Sequence, residues 1–395
     1  MTFKLGLVAG EPSGDLIAAE VLEGLFKQRA SLQVSGIGGP RLEAAGMTIW
    51  EPMNALSVFG YVDALKRLPR LLSIYRGVSS RWLSDPPDLF LGVDAPDFNL
   101  RLEHKLRQSG IPTVHFVGPS IWAWRYERIH HIRQAVSHML VLFPFEVEIY
   151  QKEGIPVTYV GHPLADVIAP EPDQAAARTA LGLEKEARVV ALLPGSRSSE
   201  IRLMSPRFLQ AAQQLQAKDP SLIFLVPMVN ETRRAEFLRL LATYPVQNLK
   251  VLMPSETGAA GDTPVSWTVL AACDMAMVTS GTATLEAALF KRPMVISYVL
   301  SPWMRRIMAW KSGQEKPTLP WVGLPNVLSR DFVVPELLQD DATPDRLAQT
   351  FWALWEDHDR RASIQATFQA LHQTLRCGTA QRAADAILKV LEGKA

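Results

Sequence analysis

The stretch that decides the fold is residues 89–99, LFLGVDAPDFN. Its first five residues are apolar without alternation, which is typical of a strand covered on both faces of a sheet. Two acids, Asp94 and Asp97, follow at once, and a helical pattern begins at about Phe98. A buried strand that ends in a polar turn and continues into a helix predicts a parallel α/β sheet, in which ligands bind at the carboxyl ends of the strands.

The same order of strand, turn and helix repeats on both sides of this stretch. FKLGLVAG and LQVSGIGG precede it, and TVHFVG, SHMLVLF and VTYVG follow it. Residues 164–187 interrupt the pattern with proline, alanine and charge, which we interpret as a linker region. A second series runs from RVVALLPGSR to PMVISYV, and the chain after about Ser301 is mostly helical in pattern.

These observations predict an α/β protein with two doubly wound, Rossmann-like domains that face a cleft. We place the domains at residues 1–165 and 188–355 and expect a helical tail at residues 356–395. The length of 395 residues also favours two cores over one.

The composition excludes several classes of protein. With 41 basic and 40 acidic residues, the formal net charge is +1, which gives no indication of nucleic-acid binding. The two cysteines, Cys273 and Cys377, are far apart and indicate neither a disulfide framework nor a metal cluster, so we expect a reducing cytoplasm. We expect neither a signal peptide nor a membrane-spanning helix, because the required apolar segments are missing.

Two strand ends in the second domain resemble anion sites. LLPGSR, residues 192–197, and TSGTATLE, residues 279–286, each follow an apolar strand and open a helix. A glycine there lets backbone N–H groups approach an anion, and the helix N-terminus adds partial positive charge. The candidate residues are Gly195, Ser196, Arg197, Ser280, Gly281, Thr282 and Glu286. Two such turns suggest a diphosphate; the alternatives are a surface arginine on an ordinary turn and an N-cap with a solvated glutamate.

The strand ends of the first domain carry polar and aromatic groups that could contact a substrate. AGEPSGD offers acids and a serine, PSIWAWR offers indoles for a sugar or an acyl chain, and GHP offers an imidazole. The candidates are Glu11, Ser13, Asp15, Trp122, Arg125 and His162. The alternatives are a helix cap for Asp15, packing under a loop for the tryptophans and a structural role for His162.

The sequence indicates no metal and no other cofactor. Its one D-x-D string, residues 357–359, lies in the helical tail and is better explained as a solvated helix end.

A basic, amphipathic stretch at residues 65–82 is typical either of a helix on an anionic membrane or of a core-facing helix with a solvated basic face. Residues 301–311 have a similar character.

Nine sequence motifs, taken together and in this order, resemble those of the lipid-A-disaccharide synthase family. Members of this family are glycosyltransferases of the GT-B type. The motifs are AGEPSGD, GGPRLEAAGM, VDAPDFN, PSIWAWR, LFPFE, GHPLAD, LLPGSR, SGTATLE and GLPNVL, and they cover nearly the whole chain. The resemblance implies transfer of diacylglucosamine from UDP-diacylglucosamine to the 6-hydroxyl of diacylglucosamine 1-phosphate, with inversion to a β-1,6 linkage.

The resemblance also implies a location and an assembly. Family members work at the cytoplasmic face of the inner membrane, and some are dimers that exchange C-terminal segments. We therefore expect peripheral contact with an anionic membrane. We also expect a tail that either packs back on the first domain or is exchanged in a homodimer.

Carried over by position, the resemblance assigns roles to individual residues. Asp94 matches the proposed catalytic base, the two glycine turns match the UDP site, and Asn326 matches a donor-site residue that a swapped partner can supply. Two features depart from the family pattern: Val299 stands where many relatives carry a basic residue, and residues 310–322 look longer than usual.

The two acids of the opening stretch receive different assignments. Asp94 ends the strand and should face the cleft, and Pro96 should hold Ala95 extended and so fix the carboxylate. Asp97 is well placed as an N-cap, with a substrate contact as the alternative.

Two other functions remain open on the sequence alone. A non-hydrolysing UDP-sugar epimerase could use the same fold without a lipid surface. A non-catalytic protein that binds nucleotide sugars or lipids would have no use for a carboxylate aimed at the anomeric carbon.

Overall fold

The computed structural model describes residues 2–29, 31–56, 61–123, 125–254, 263–301, 303, 305–306 and 319–393, apart from the side chains of residues 61–68. The chain forms two compact units. Unit 1 comprises Met1–Asp166 together with Leu375–Ala395, and unit 2 comprises Val167–Thr374. The division therefore runs through the helical tail.

Unit 1 is built on a sheet whose strand pairs are all parallel in the described residues. The order is β3-β2-β1-β4-β5-β6-β7. The strands are β1 (Phe3–Ala9), β2 (Leu32–Gly38), β3 (Thr48–Pro52), β4 (Leu89–Val93), β5 (Thr113–Phe116), β6 (His138–Val141) and β7 (Val157–Tyr159). The central strand β4 is buried at all five residues, as its unbroken apolar run predicts.

Helices cover both faces of this sheet. They are α1 (Pro12–Gln28), α2 (Pro40–Ala44), α3 (Tyr61–Ser84), α4 (Pro96–Gln108), α5 (Ile129–Ala135), α6 (Pro144–Lys152) and α7 (Pro163–Val167). Alternate residues of β4 enter different cores, because successive side chains of a strand point to opposite faces. Leu91 packs with α1, whereas Phe90 packs with Trp82 of α3 and Leu102 of α4.

Unit 2 has its own parallel sheet, in the order β10-β9-β8-β11-β12-β13. Its strands are β8 (Val189–Leu193), β9 (Ile223–Pro227), β10 (Leu249–Leu252), β11 (Met275–Thr279), β12 (Met294–Tyr298) and β13 (Glu336–Leu338). Its helices are α8 (Gln174–Ala180), α9 (Ser198–Lys218), α10 (Glu231–Thr243), α11 (Val265–Ala272), α12 (Thr282–Leu289), α13 (Leu324–Ser329), α14 (Pro344–Glu356) and α15 (His358–Leu375).

The last helix, α16 (Thr379–Leu391), returns to unit 1. Ala383, Ala384 and Ile387 are buried in the core that α1 covers. The approach is close, since a Cβ added at Gly24 of α1 would lie 3.3 Å from the Ala384 Cβ. This helix therefore completes the core of unit 1, although all of unit 2 lies between the two segments of unit 1 in the sequence.

The fold class predicted from the sequence is confirmed as two α/β units with parallel sheets and a helical C-terminal segment. Two edge strands, β3 and β13, were absent from the prediction. The stretch interpreted as a linker contains most of α7 and all of α8, and the boundary between the units lies within it.

The basic stretch forms α3, and its described part has two faces. Ile74, Val78 and Trp82 are buried, whereas Arg70 and Arg76 are exposed. The side chains of residues 65–68 and most of residues 301–311 lie outside the described set. No helix in the described part of the chain has the length and apolar character to cross a membrane.

Candidate active site

The turn after β4 holds Asp94 by its backbone. The Asp94 N–H donates to the Phe116 carbonyl of β5 at 2.8 Å, and the Ala95 N–H donates to Asp94 Oδ1 at 2.8 Å. Asp94 and Ala95 are both left-handed, with φ of 53° and 43°. The expectation that Pro96 keeps Ala95 extended is therefore wrong. Because α4 begins directly at Pro96, two left-handed residues must turn the chain from strand to helix.

More left-handed residues lie near this turn. Val117, just after β5, has φ of 67°, and Arg125, a few residues further on, has φ of 60°. Such a conformation costs on the order of 1–3 kcal/mol for a residue other than glycine, and it is an outlier for a β-branched one. Backbone strain of this kind concentrates at functional sites, which supports this edge of the sheet as an active site.

The surroundings of Asp94 make it a stronger base than an exposed aspartate. Burial raises the pKa of its carboxyl above the ordinary value, while the Ala95 N–H and the charge of His115 act in the opposite direction. The Asn99 side chain donates to the Asp94 backbone carbonyl at 2.7 Å and so fixes the peptide between Asp94 and Ala95. A carboxylate with a raised pKa accepts a proton more readily.

Asp97 has a different role from the one predicted. The N-cap position of α4 is occupied by Ala95, so the prediction that Asp97 caps this helix is wrong. Asp97 lies in the first turn instead, where a negative charge interacts favourably with the helix dipole. Its side chain is 90% exposed and accepts a hydrogen bond from Arg128 Nη2 at 2.6 Å.

The two acids that follow β1, Glu11 and Asp15, also differ in their surroundings. Asp15 is buried and accepts from the backbone N–H groups of Gly39 at 2.6 Å and Arg41 at 3.0 Å, so it caps α2, and the capping alternative accounts for it. Glu11 and Ser13 are exposed at the start of α1, where the carboxyl end of β1 lies next to that of β4.

An aromatic row runs along the ends of β5, β6 and β7. Trp122 meets Phe145 edge-on at 5.3 Å, Phe145 stacks on Phe143 at 5.8 Å, and Phe143 stacks on His162 at 5.6 Å. His162 is buried, which lowers its pKa to about 4, and its Nδ1 accepts from the Leu164 N–H at 3.2 Å. The imidazole is therefore a neutral member of the stack, as the structural alternative predicted.

Arg125, the last residue of PSIWAWR, stands apart from this row. The exposed Arg125 side chain pairs with Glu127 at 3.5 Å. Trp124 lies outside the described residues.

Unit 2 brings both glycine turns to one cavity of about 520 Å³. Its walls include Gly195, Ser196, Arg197, Ser280, Gly281, Thr282 and Glu286. Seven of the eight residues predicted for the UDP site therefore line the same space, and the eighth, Asn326, does not. The turns come together because β8 and β11 are neighbours in the sheet.

The first turn already holds a carboxylate, which the sequence analysis missed. Glu200 Oε2 accepts from the backbone N–H groups of Ser196 at 2.9 Å and Arg197 at 3.0 Å. Gly195, with φ of 108°, makes the close approach possible, since a Cβ there would lie 2.5 Å from Glu200. A glutamate that reaches back from N3 to the N-cap N–H is one half of a capping box, but Arg197 stands where the sequence signature requires Ser or Thr. The Arg197 side chain is 79% exposed and 3.5 Å from Glu200.

The second turn is open. A Cβ added at Gly281, which has φ of 153°, would have no heavy atom within 4 Å. Glu286 accepts from Ser266 Oγ at 3.2 Å. Burial raises the pKa of Glu286, and the hydrogen bond from Ser266 opposes that shift. The alternative of a freely solvated glutamate does not describe it.

The Asn326 side chain forms hydrogen bonds within unit 2. It is fully buried, its amide nitrogen donates to the Val334 carbonyl and to Glu336 Oε1, both at 2.8 Å, and its oxygen accepts from the Val334 N–H at 3.0 Å. Both amide hydrogens form hydrogen bonds, so within this chain Asn326 stabilises the loop before β13.

Val299 follows β12, and residues 307–318 lie outside the described set.

Comparisons with known proteins identify the family of the chain. The sequence profile of the family described as "Lipid-A-disaccharide synthetase" matches residues 5–390. The lipid-A-disaccharide synthase of Bordetella petrii is 66% identical over 395 residues, covering 100% of both chains. That of Aromatoleum aromaticum is 48% identical over 391 residues, covering 99% of this chain and 97% of the other.

Solved structures share the fold at much lower identity. The UDP-GlcNAc 2-epimerase from Neisseria meningitidis has a TM-score of 0.64 and 12% identity, with 100% of both chains covered. The glycotransferase of kitacinnamycin has a TM-score of 0.60 and 16% identity, with 98% of this chain and 99% of the other covered. These likenesses show a fold of the GT-B type.

Proposed function

The chain belongs to the lipid-A-disaccharide synthase family and is a glycosyltransferase, and from this premise we propose the reaction and the roles of its residues. Diacylglucosamine moves from UDP-diacylglucosamine to the 6-hydroxyl of diacylglucosamine 1-phosphate, and UDP leaves. The linkage changes from α in the donor to β-1,6 in the product. Inversion requires one in-line attack and one general base, without a covalent intermediate.

Asp94 is the general base. The observation that carries this assignment is the strained position of Asp94, a left-handed residue at a strand end. Its carboxylate accepts from the Ala95 N–H, and its backbone carbonyl accepts from the Asn99 side chain. A primary hydroxyl is a poor nucleophile until its proton leaves. A positioned carboxylate that takes this proton contributes roughly 10²–10⁴ in rate.

The cavity of unit 2 binds the UDP part of the donor. Arg197 supplies a flexible cation, and the turn at Ser280–Thr282 supplies hydroxyl and N–H groups beside open space at Gly281. The N–H groups of Ser196 and Arg197 become available to a phosphate only when the Glu200 carboxylate leaves them. Donor binding therefore exchanges one anion for another at the start of α9.

The test is incubation with both acylated substrates and mass analysis of the product. We expect a disaccharide with a single phosphate, together with free UDP. A UDP-sugar alone serves as the control, because an epimerase would convert it without an acceptor. Binding without product formation would instead favour a nucleotide-sugar or lipid-binding protein.

We also propose that α3 contacts the anionic inner membrane from its cytoplasmic side. Away from its buried residues, α3 exposes Arg70 and Arg76, and Leu72 is 42% exposed. Attraction to an anionic surface is worth about 1 kcal/mol per basic residue. Arg70→Glu with Arg76→Glu should therefore weaken binding to anionic liposomes strongly. Arg67, a third arginine of the same basic stretch, lies among the undescribed side chains.

The control for this test has the same change of charge elsewhere. Lys185→Glu with Arg239→Glu alters two exposed residues of unit 2. Equal losses in both double variants would show a general effect of net charge and would contradict a role for α3.

The C-terminal helix either packs back on its own chain or is exchanged between two chains, and we propose exchange in a homodimer. An exchanged helix would make the same contacts with α1. The Cβ positions at Gly24 and Ala384 are 3.3 Å apart, close to the separation in a disulfide. Oxidised Gly24→Cys/Ala384→Cys should run as a covalent dimer, and each single variant is the control. A covalent monomer would show that the helix stays with its own chain.

A further inference from the structure

Two arginines belong to the connection between β5 and α5. Tyr126–Arg128 forms a single turn of 3-10 helix, and the Arg128 N–H donates to the Arg125 carbonyl at 3.1 Å, which closes the turn. Arg125 has the left-handed φ of 60°, a strained conformation for a residue with a long side chain. Because such strain concentrates at sites that bind or react, the turn is a candidate for ligand contact.

Each of the two arginines has a carboxylate partner that a stronger anion can replace. Arg128 Nη2 donates to Asp97 Oδ1 at 2.6 Å, and the Asp97 side chain is 90% exposed. Arg125 Nε is 3.5 Å from Glu127 Oε1, and both side chains are more than half exposed. Exposed ion pairs contribute little free energy, because water screens both charges. A phosphate monoester, with up to about two negative charges at neutral pH, therefore competes well with either carboxylate.

More positive charge surrounds this turn on the packed helices α4 and α5. The rings of His104 on α4 and His131 on α5 lie 5.7 Å apart. Burial lowers the pKa of His131, and the positive charges of its neighbours, Arg128 and Arg101 among them, lower it further. The two exposed carboxylates thus leave a positive potential at the turn, which favours an anionic ligand.

The position of Arg128 relates this potential to the proposed base. Asp97 lies in the first turn of α4, three residues after Asp94. An anion that replaces Asp97 at Arg128 therefore lies beside the same end of α4 from which the Asp94 carboxylate projects. The proposed acceptor carries its phosphate and its 6-hydroxyl on either side of the ring oxygen, so the two groups are a single sugar ring apart.

We propose that Arg125 and Arg128 bind the phosphate of the acceptor, and that this contact selects a phosphorylated glucosamine over an unphosphorylated one. The inference rests on the proposed function, since Asp94 is taken as the group that receives the proton of the acceptor hydroxyl. Arg128 is the main ligand, because its side chain is 22% exposed and so less hydrated than that of Arg125, which is 53% exposed. An anchored phosphate fixes the sugar at a second point and orients its 6-hydroxyl toward the base.

The test compares two acceptors that differ only in the phosphate. The value of kcat/KM is measured for diacylglucosamine 1-phosphate and for diacylglucosamine in micelles of a neutral detergent, with UDP-diacylglucosamine as the donor. The parent enzyme should prefer the phosphorylated acceptor. Arg128→Ala should reduce this preference roughly 10-fold to 150-fold, the size of a lost charge-assisted hydrogen bond, and should leave the affinity for UDP unchanged.

Two further variants complete the experiment. Arg133→Ala is the control, since Arg133 is an exposed arginine on the adjoining α5, and we expect its preference to equal that of the parent. Arg125→Ala keeps the proposal testable if Arg128→Ala does not fold, because the exposed Arg125 side chain can be removed without opening a cavity. It should reduce the preference in the same direction by a smaller factor.

Several outcomes would overturn the phosphate site. They are a parent enzyme without preference, an unchanged preference in the folded variants of Arg125 and Arg128, and equal losses on both acceptors. Weaker binding to anionic liposomes with the preference retained would assign the turn to lipid headgroups and also overturn the proposal. A parent enzyme that forms no disaccharide from either acceptor would instead contradict the proposed function, and this proposal with it.

Discussion

The turn after β4 and the turn after β8 solve the same geometric problem with different residues. Each follows a fully buried strand and leads into a helix. The β8 turn bends at Gly195, with φ of 108°, and the nearby β11 turn bends at Gly281. The β4 turn bends at Asp94 and Ala95, which carry side chains.

The difference follows from what each turn presents to a ligand. A turn that presents backbone N–H groups to a phosphate benefits from glycine, because the absent Cβ permits close approach without strain. The β4 turn presents a carboxylate, and a glycine at position 94 would remove that group. The β4 turn therefore tolerates strain of about 1–3 kcal/mol per residue, whereas the β8 and β11 turns avoid it by bending at glycine.

The two turns also hold their carboxylates differently. Asp94 accepts from the N–H group of the next residue, so its carboxylate belongs to the turn itself. Glu200 reaches back from α9 to the N–H groups of Ser196 and Arg197. We infer that the first carboxylate is permanent and that the second can be replaced by a ligand.

Asp94→Asn tests the permanent carboxylate and should have the largest effect. The amide preserves the shape but cannot accept the proton, so kcat should fall at least about 100-fold while UDP binding stays nearly intact. Single-turnover kinetics together with UDP titration measure the two quantities. Near-normal turnover, with Asp97→Asn inactive, would reverse the assignment of the two acids.

Arg197→Ala tests the anion site of the second turn. Loss of a charge-assisted hydrogen bond should cost about 1.5–3 kcal/mol of donor binding, or roughly 10-fold to 150-fold in affinity. Calorimetric titration with UDP gives the change. Arg202→Ala, an exposed arginine one turn further along α9, is the matched control. Equal losses in the two variants would argue against a specific contact of Arg197.

Glu200→Gln tests whether the second carboxylate is replaceable. The variant removes a negative charge from the helix N-terminus, where such a charge is worth about 0.3–1 kcal/mol. UDP should therefore bind about two-fold to five-fold more tightly, and the gain should shrink as salt is added. Weaker binding of UDP would mean that Glu200 stays in place and supports the bound state.

Asp97→Asn should have the smallest effect. Its exposed pair with Arg128 is of a kind worth about 0–1 kcal/mol, and the side chain does not hold the turn. We expect kcat within about two-fold of the parent enzyme and little change in thermal stability. A large loss of activity with an unchanged melting temperature would give Asp97 a role in substrate binding.

The sequence predicted the parts of this comparison that depend on local pattern. Strands with unbroken apolar runs, such as β4 and β8, were recognisable, and so were the motifs at their ends. The edge strand β3, with the sequence TIWEP, was missed because it is short and only half-buried. No apolar run distinguishes such a strand from a loop.

The parts that could not be predicted depend on long-range packing. The bias of Pro96 toward an extended Ala95 was overridden by the Phe116 and Asn99 hydrogen bonds, which require the complete sheet. Glu103 of α4 and His115 of β5 form a buried pair that depends on the register of β4 against β5, which the sequence leaves open. The capping role of Glu200 also lacked a clear signal, because Arg197 stands where a capping box has Ser or Thr.

The return of α16 to unit 1 has a consequence for synthesis on the ribosome. The first 166 residues emerge early, but the helix that completes their core follows only after Val167–Thr374. At about 5–20 residues per second, this delay is roughly 10–40 s. During that time the apolar surface of α1 and β1 that α16 later covers faces water, a condition that favours chaperone binding and aggregation. A second nascent chain nearby could supply its own α16 during the same interval, so the order of translation itself offers a route to exchange.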